Sequence, residues 1–451
     1  MPRWQQPLTN LIGGLARRWP PQQNFMTPNA TVTVPCDVKD ITLADLGKRR
    51  TDWAFQQMPV LRTIRKQFIK AQPFAGIRVS ACMHVTTETA NLMITLRDGG
   101  ASIVLCGSNP LCTQDDVAAL LVRDYGIPVY AIKGAAKDVY EAHLTAALEH
   151  KPQVTMDDGA DLVTALHAKR QDLIADVLGG TEQTTTGAAR LQSMARQGTL
   201  RYPVVAIGDA LTKHLFDNHY GTGQSTLDGI IRATNVLLAG LNIVVAGYGW
   251  CGRGVAMRAK GHGASVVVTE VDPIKAIEAV MDGHRVMSMT EAAVIGDIFI
   301  TVTGNRNVIG RDQFEKLKSG AILCNAGHGN VEIDLETLGK VASSRRETRE
   351  HVEEFSMRDG RKVYVLGDGR SINLASGDGH PASVMDMSFA NQAMAVEYIL
   401  KNHATLDKKV HPISTEIDKQ VARWKLDSMG MKIDRLTAEQ EKYHVSLSEG
   451  I

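Results

Sequence analysis

The chain has 451 residues, of which 44% are hydrophobic and 22% are charged, with 50 basic against 49 acidic side chains. This length exceeds what one hydrophobic core usually supports, so we expect at least two domains of an ordinary globular protein. The net charge of +1 gives no reason to expect nucleic acid or a membrane surface as a partner.

The first 36 residues contain no acidic side chain and are interrupted by prolines, which predicts a flexible arm rather than a targeting segment. The six cysteines are scattered and lack the CxxC spacing of a zinc site. We therefore expect buried thiols, no bound metal and a reducing compartment, the cytoplasm.

From about residue 77 the chain alternates short β-branched runs with helical patterns, such as those over 87–97 and 114–125. Such alternation is typical of parallel βαβ units. A first series of predicted strands covers 77–81, 102–105, 128–131 and 154–156, and a second covers 242–246, 265–269, 298–302 and 321–325.

The segments outside these two series have other residue patterns. Residues 181–229 are rich in Thr, Gly and Asp and lack long apolar periodicity, which predicts a loop that forms a site. A helical pattern follows over 384–401, and a charged tail begins at about residue 408. The pattern predicts two α/β domains joined by site-forming segments.

A glycine motif after the first strand of the second series indicates a dinucleotide site. Gly247, Gly249 and Gly252 follow a predicted strand and open a predicted helix, and the next strand ends at Glu270. The glycines permit a tight turn, close approach to a pyrophosphate and close packing of helix on strand. Glu270 would accept hydrogen bonds from ribose hydroxyls and repel a 2′-phosphate, so we predict NAD rather than NADP. The alternative is a glycine turn without a ligand.

Four polar clusters precede this motif, and two of them directly follow predicted strands, where open α/β sheets bind ligands. Each also has an ordinary structural interpretation. Lys213 and Asp217, four residues apart, can form a solvated surface pair. Paired aspartates after a strand often cap a helix, and a single histidine such as His84 is often structural. The clusters are His-Val-Thr-Thr-Glu-Thr at 84–89, Asp-Asp-Gly-Ala-Asp at 157–161, Thr-Thr-Thr-Gly at 184–187 and Lys-His-Leu-Phe-Asp-Asn at 213–218.

Taken together, these motifs resemble the S-adenosylhomocysteine hydrolase family. The resemblance includes their order along the chain, the Gly-Tyr-Gly-x-x-Gly motif, Cys-Asn-Ala-Gly-His at 324–328 and Gly-His-Pro at 379–381. It runs from about residue 40 to 440. The segments 220–225 and 249–254 are most similar to the archaeal and thermophile-type branch.

The resemblance implies an α/β fold with two Rossmann-like domains, in which an NAD-binding domain is inserted into a substrate-binding domain. It further implies one tightly bound NAD per subunit, a small-molecule substrate and assembly into a homotetramer. The expected parts are 1–220 and 379–410 for the substrate-binding domain, 221–378 for the NAD-binding domain and 411–451 for a C-terminal oligomerisation tail.

The implied reaction is the reversible hydrolysis of S-adenosyl-L-homocysteine to adenosine and L-homocysteine. The ribose 3′ carbon is oxidised, the 5′ thiolate is eliminated, water adds and the ketone is reduced again. In this scheme Lys213 and Asp217 contact the ribose hydroxyls, Asp158 is the acid–base group near C4′, and His84 acts around the 5′ leaving group.

The site residues implied by the resemblance fall into three groups. The catalytic group is His84, Asp158, Lys213, Asp217, Asn218 and His328. The substrate-binding group is Thr86, Glu88, Gln183, Lys213, Asp217, His380 and Met385. The cofactor-binding group is Thr184, Thr185, Thr186, Asn218, Gly247, Gly249, Gly252, Glu270, Thr303, Asn325 and Asn373.

Three departures from the family pattern leave the nucleoside open. Gln183 stands where the family has a glutamate, Gly208 where it has an asparagine, and Asn330 where it has an aspartate. A related nucleoside thioether, such as S-inosylhomocysteine, is an alternative substrate. The sequence also leaves open a non-catalytic NAD-binding homologue and a 2-hydroxy-acid dehydrogenase, which shares the two-domain arrangement.

Overall fold

The computed structural model describes residues 34–445, so most of the predicted N-terminal arm of residues 1–36 lies outside the described residues. Among the described helices, none is long and apolar enough to cross a membrane. All six cysteines are free; Cys36 is exposed and Cys251 partly exposed, so the expectation of six buried thiols was wrong for these two.

The first domain begins with seven strands that join one parallel sheet. They are β1 (Asp37–Val38), β2 (Arg78–Met83), β3 (Ser102–Gly107), β4 (Val129–Ala131), β5 (Val154–Asp157), β6 (Gly179–Glu182) and β7 (Val204–Ala206). Helices cover both faces, so strands such as β2 and β5 are almost continuously buried. The helices are α1 (Ala44–Gln56), α2 (Pro59–Ala71), α3 (Thr87–Asp98), α4 (Asp115–Tyr125), α5 (Lys137–Glu149), α6 (Asp161–Lys169), α7 (Thr185–Arg196) and α8 (Leu211–Lys213). A π-helix (His214–Gly221) follows α8 and leads into α9 (Thr222–Thr234), whose buried residues belong to the core of the second domain.

The second domain contains eight strands. They are β8 (Asn242–Ala246), β9 (Ser265–Thr269), β10 (Arg285–Val286), β11 (Ile298–Thr301), β12 (Ala321–Asn325), β13 (Ala342–Arg349), β14 (Val352–Met357) and β15 (Lys362–Leu366). The helices are α10 (Trp250–Gly261), α11 (Pro273–Met281), α12 (Met289–Ile295), α13 (Arg311–Phe314), α14 (Leu335–Val341) and α15 (Ile372–Ala375).

The chain then returns to the first domain through α16 (Ala382–Asn402), β16 (Val410–Pro412) and α17 (Thr415–Ser428), and its described part ends with α18 (Ala438–Val445). Strand β16 pairs with β7, and Val421 of α17 is buried in the core that α2, α3 and α16 share. The segment expected to be an oligomerisation tail therefore begins with residues that pack inside the first domain. Its role in assembly stays a prediction.

Each sheet contains a point where the strand order reverses. The first sheet has the order β1-β4-β3-β2-β5-β6-β7-β16 and reverses between β2 and β5. The second has the order β10-β9-β8-β11-β12-β15-β14-β13, reverses between β8 and β11, and is parallel except at β14 and β13. Ligands bind at such switch points because the loops that follow the two strands diverge and leave a crevice.

The fold confirms the predicted α/β class with two Rossmann-like sheets, and all eight predicted strands are present with small shifts at their ends. The interpretation of 181–229 as a loop was wrong, because this segment contains the end of β6, all of α7, β7, α8 and the π-helix, and the first part of α9. Strand β6 reads Gly-Gly-Thr-Glu and has no β-branched run. Its strand conformation comes from pairing with β5 and β7 on either side.

Candidate active site

The loops that follow β2 and β5 form the first part of the site. His84 comes directly after β2 and Asp158 directly after β5, so their side chains meet at the first switch point. His84 Nε2 lies 3.4 Å from Asp158 Oδ2, and the Ser108 hydroxyl lies 2.7 Å from His84 Nδ1. The sequence predicted the first two residues and missed Ser108.

The surroundings of His84 raise the pKa of its imidazole. Burial lowers the pKa of its imidazole, but the Asp158 carboxylate and the contact with Cys112 outweigh burial, so the pKa of His84 lies above its ordinary value. His84 Nδ1 is fixed by Ser108, which leaves Nε2 directed toward Asp158. This arrangement suits a general acid that exchanges its proton at Nε2.

The two aspartates after β5 have different roles. Asp157 accepts hydrogen bonds from the N–H groups of Leu162 and Val163 and so caps α6, as the ordinary interpretation of such a pair expects. Asp158 points the other way, is 5% exposed, and its Oδ1 has no hydrogen-bond partner among the described residues. Asp158 is therefore available to a ligand.

His328 brings the second domain to this cluster. It follows β12, and its Nδ1 lies 3.6 Å from Asp158 Oδ1. The approach depends on Gly159, whose φ is +111°, and a Cβ there would lie 2.3 Å from His328 Nε2. The absence of a side chain at Gly159 lets the two domains close on Asp158.

The π-helix builds the second cluster. Lys213 Nζ donates to Asn218 Oδ1 at 2.8 Å and lies 3.6 Å from Asp217 Oδ1. The wider turn of a π-helix brings residues five apart onto one face, and such turns are frequent at functional sites. Lys213 is 4% and Asp217 2% exposed, so the interpretation as a solvated surface pair was wrong.

Asp217 is surrounded by hydrogen-bond donors. Its Oδ1 lies 2.9 Å from His380 Nδ1, and its Oδ2 accepts from the Ser388 hydroxyl at 2.7 Å and from Gln183 Nε2 at 3.4 Å. Burial raises the pKa of Asp217, but Lys213 and His380 outweigh it and hold this pKa well below its usual range. Asp217 is thus a permanent anion, suited to accept hydrogen bonds rather than to exchange protons.

Gln183 links this anion to α16. Its Oε1 accepts a hydrogen bond from Gln392 Nε2 at 3.0 Å, while its own amide donates to Asp217. A glutamate in its place would set a second carboxylate against Asp217. Ser388 and Gln392 were missed because both lie within an apolar helical pattern that reads only as core.

The N-terminal end of α3 lies where the resemblance places the adenine base. Thr86 caps α3 by accepting from the Thr89 N–H, and Glu88, 7% exposed, accepts from the Thr87 hydroxyl at 2.8 Å. Burial raises the pKa of Glu88. Met385 of α16 lines the cavity that lies between the two domains.

The glycine motif fits a pyrophosphate. Gly247 has a φ of +104°, and a Cβ on Gly252 would lie 1.9 Å from the Gly247 carbonyl oxygen, so the turn requires both glycines. A Cβ on Gly249 would meet no atom within 4 Å, which leaves its backbone open to a ligand. Helix α10 begins at Trp250 without a side-chain cap, so its first N–H groups face this opening.

Glu270 ends β9 beside this turn. Its carboxylate accepts from the N–H groups of Tyr248, Val271 and Asp272. Burial raises the pKa of Glu270, but these three bonds outweigh it and the pKa is lowered. An ionised carboxylate here suits ribose hydroxyls and opposes a 2′-phosphate, so the residues present fit NAD.

Two polar residues expected at the cofactor behave differently. Asn373 Oδ1 is buried without a partner among the described residues and lines the cavity, so it is available to a ligand donor. Asn325 is fully buried and does not line the cavity. Its side chain bonds Thr301, Gly327 and Gly329, so its contact is structural in this conformation.

One cavity between the domains collects most of the residues implied by the resemblance. Outside its lining lie Asn325 and the four residues of the dinucleotide turn, Gly247, Gly249, Gly252 and Glu270. The lining includes His84, Thr86, Glu88, Asp158, Gln183, Thr184, Thr185, Thr186, Lys213, Asp217, Asn218, Thr303, His328, Asn373, His380 and Met385.

Two imidazoles and a carboxylate are ligand types that a metal ion accepts. The ligand atoms of His84, Asp158 and His328 all lie within 4.8 Å of one another. The same closeness suits proton exchange, and the expectation of no metal from the sequence stays a prediction.

The chain is similar to known proteins over most of its length. The model of the S-adenosyl-L-homocysteine hydrolase family matches residues 35–173, and the model of that family's NAD binding domain matches residues 218–379. An adenosylhomocysteinase of Aquifex aeolicus is 58% identical over 414 residues, which are 92% of this chain and 99% of that protein. One from Pyrococcus abyssi is 53% identical over 413 residues, 92% and 98% of the two chains. An S-inosyl-L-homocysteine hydrolase of Methanocaldococcus jannaschii is 54% identical over 414 residues, 92% and 99% of the two chains.

The fold and site define a two-domain, NAD-dependent enzyme with a cavity between its two Rossmann-like sheets. The chain belongs to the S-adenosyl-L-homocysteine hydrolase family.

Proposed function

We propose that the protein catalyses the reversible hydrolysis of S-adenosyl-L-homocysteine to adenosine and L-homocysteine, with one NAD held in each subunit. The observation that carries this proposal is that the His84–Asp158–His328 cluster and the Lys213–Asp217–Asn218 cluster line the same cavity. One cluster can exchange protons, and the other can hold vicinal hydroxyls.

In this proposal the second cluster holds the ribose. Asp217, kept ionised by Lys213 and His380, accepts hydrogen bonds from the ribose hydroxyls, and Lys213 Nζ orients the 3′ oxygen. Bound NAD supplies reversible oxidation of the ribose 3′ carbon, which acidifies the hydrogen on C4′. Asn218, bonded to Lys213 and to Cys251 Sγ, holds the lysine in place.

The first cluster exchanges the protons. Asp158 Oδ1, buried and without a hydrogen-bond partner among the described residues, takes the proton from C4′ and returns it there once water has added. His84, whose pKa is raised, protonates the leaving 5′ thiolate and afterwards takes a proton from the water that adds. His328 closes this side of the cavity and excludes solvent from the ketone.

A second candidate substrate is S-inosyl-L-homocysteine. The observation in its favour is Glu88, because burial raises the pKa of this carboxyl and the protonated form can donate to the O6 atom of hypoxanthine. The ionised form accepts from the 6-amino group of adenine instead. The relative from Methanocaldococcus jannaschii, 54% identical, carries the inosyl name.

Thiol release from the two thioethers tests both candidates. We expect the parent protein to have a higher kcat/KM for S-adenosyl-L-homocysteine than for the inosyl thioether. The same two substrates are measured with Gln183→Glu. A clear preference for the inosyl thioether would assign Glu88 the donor role. If neither thioether releases thiol, the protein is a non-catalytic member of the family.

We also propose a cytoplasmic homotetramer in which residues 1–220 and 379–410 bind the substrate and 221–378 bind NAD. Two exposed apolar surfaces support association. One face of α11 exposes Ile274, Ile277 and Met281 by 75%, 58% and 80%, and the last described segment exposes Ile433 and Leu436 by 69% and 53%. Exposed apolar clusters of this kind usually mark a contact with another chain.

A further inference from the structure

A buried carboxyl group lies behind the cavity wall of the first domain. Glu182 ends β6 and has no exposed surface. Its Oε1 accepts three hydrogen bonds, from the Gly159 N–H at 2.9 Å, the Thr184 N–H at 2.8 Å and the Thr184 hydroxyl at 2.8 Å. One oxygen atom therefore ties the loop that carries Asp158 to the start of α7.

A second buried carboxyl group does the same in the other domain. Glu332 is 1% exposed, and its Oε2 accepts from the Thr303 N–H at 2.9 Å and the Thr303 hydroxyl at 2.6 Å. Its Oε1 accepts from the Gly304 N–H at 2.9 Å. A Cβ on Gly327, the residue before His328, would lie 2.1 Å from Glu332 Oε1.

The two held segments meet beside the cavity. Thr184 to Thr186 and Thr303 to Gly304 all line it, and a Cβ on Gly304 would lie 3.2 Å from Thr186 Oγ1. Neither Glu182 nor Glu332 lines the cavity. Each carboxyl thus acts through a threonine and a glycine of its own domain.

Burying a carboxylate is unfavourable unless donors compensate it. Burial raises the pKa of Glu182 to about 7 and raises that of Glu332, while the three hydrogen bonds at each residue oppose this effect. Each carboxyl group is buried at this cost, and its hydrogen bonds go only to segments that form the cavity. This pattern indicates that each carboxyl group fixes the geometry of those segments.

We infer that Glu182 and Glu332 are a pair of positioning residues, one in each domain, that hold the two adjoining segments of the NAD and substrate cavity wall. Glu182 fixes two elements, the Asp158 loop and the threonine turn of α7. Glu332 fixes only the Thr303 turn. The inference depends on the proposed hydrolase reaction for its kinetic readout and not for its binding readout.

The hydrogen-bond pattern distinguishes the two residues. At Glu182 a single oxygen accepts all three bonds, and Oε2 has no partner among the described residues. A glutamine can therefore keep its carbonyl oxygen at the Oε1 position and all three bonds, with its NH₂ group at the unpartnered Oε2 position. At Glu332 both oxygens accept, so a glutamine must turn its NH₂ group toward an N–H donor in either orientation.

Four variants test the pair: Glu182→Gln, Glu182→Ala, Glu332→Gln and the matched control Glu354→Gln. Glu354 is also buried, at 4% exposure, but it lies on β14, next to the edge strand of the second sheet, and bonds Arg346 and Lys362. The binding readout is the NAD retained per subunit after gel filtration. The kinetic readouts are kcat and KM for thiol release, with and without saturating added NAD.

We expect Glu354→Gln to match the parent protein and Glu182→Gln to lose only roughly two- to threefold in kcat, because the three bonds at Oε1 are kept and only the charge of the ionised fraction is lost. Glu332→Gln should lose roughly tenfold or more in NAD retention, since it breaks at least one of the three bonds and sets its NH₂ group against a buried N–H donor. Added NAD should restore its kcat. Glu182→Ala should lose both NAD retention and kcat, and added NAD should not restore kcat, because the Asp158 loop is released as well.

Equal retention of NAD by Glu332→Gln and Glu354→Gln would overturn the inference, as would full rescue of Glu182→Ala by added NAD. If Glu332→Gln does not fold, Thr303→Ala removes one of the same bonds and should lower NAD retention in the same direction. If no protein in the set, parent included, releases thiol, the proposed reaction fails, while the order of NAD retention still decides the positioning role.

Discussion

Replacing Asp217 by asparagine isolates the role of one buried charge. The side chain keeps its shape, and only the negative charge and one acceptor are lost. Lys213 Nζ at 3.6 Å and His380 Nδ1 at 2.9 Å face Oδ1, while Ser388 and Gln183 face Oδ2. In either orientation the new NH₂ group meets groups that donate to the carboxylate in the parent protein, and Lys213 loses its counter-charge.

The size of the effect follows from burial. Removing one partner of a buried ion pair costs about 3–5 kcal/mol, and each 1.4 kcal/mol corresponds to about a tenfold change in rate. If this cost falls on the transition state, kcat/KM for thiol release should decrease roughly 150- to 5,000-fold. Asp217 is 2% exposed, so solvent does not screen the loss.

The assay is thiol release from S-adenosyl-L-homocysteine, with NAD content measured on the same samples. Asp228→Asn is the matched control, because Asp228 also pairs with a cation four residues away but its side chain is 41% exposed. Such exposed pairs contribute about 0–1 kcal/mol. A decrease smaller than fivefold in Asp217→Asn, with NAD content unchanged, would refute the assignment of Asp217 as the anion that organises the ribose site.

Three shorter predictions concern other parts of the molecule. Gly159→Ala places a methyl group against His328 at a backbone φ of +111°, so kcat should drop roughly tenfold or more in a folded protein, as circular dichroism beside the thiol assay will show. Asp158→Asn removes the carboxylate that raises the His84 pKa, so the His84 ring resonances should titrate at lower pH than in the parent; an unchanged midpoint would contradict the pairing. Because a raised histidine pKa stabilises the fold below its unfolded value near 6.5, the stability lost in this variant should be largest at acidic pH and shrink as pH rises. Ile277→Glu on the exposed face of α11 should lower the assembled mass measured by light scattering, and an unchanged mass would remove α11 from the contact.

The sequence located the two switch points because their signals are local. His84 and Asp158 follow β-branched runs, and the glycines at 247, 249 and 252 open a helix after a strand. Parallel strands place the loops at their carboxyl ends on one edge of the sheet, so polar residues after such strands are expected to converge.

What the sequence missed depends on contacts between distant segments. Ser388 reaches Asp217 across 171 positions, and Glu332 reaches Thr303 across 29. Neither residue stands in a motif that predicts its partner. The strand Gly179–Glu182 was missed for a related reason, since its neighbours in the sheet and not its own residues favour the extended conformation.

The π-helix over His214–Gly221 has a consequence for anyone who would borrow this site for another scaffold. Lys213 and Asn218 are bonded because a π-turn sets residues five apart on one face. On an ordinary α-helix, with 3.6 residues per turn, the same two residues would point about 140° apart around the axis. Placing the amino-acid sequence of this segment on a regular α-helix would therefore keep the side chains but lose their relative geometry. The unit to be copied is the widened turn together with the packing of α16 that supports it.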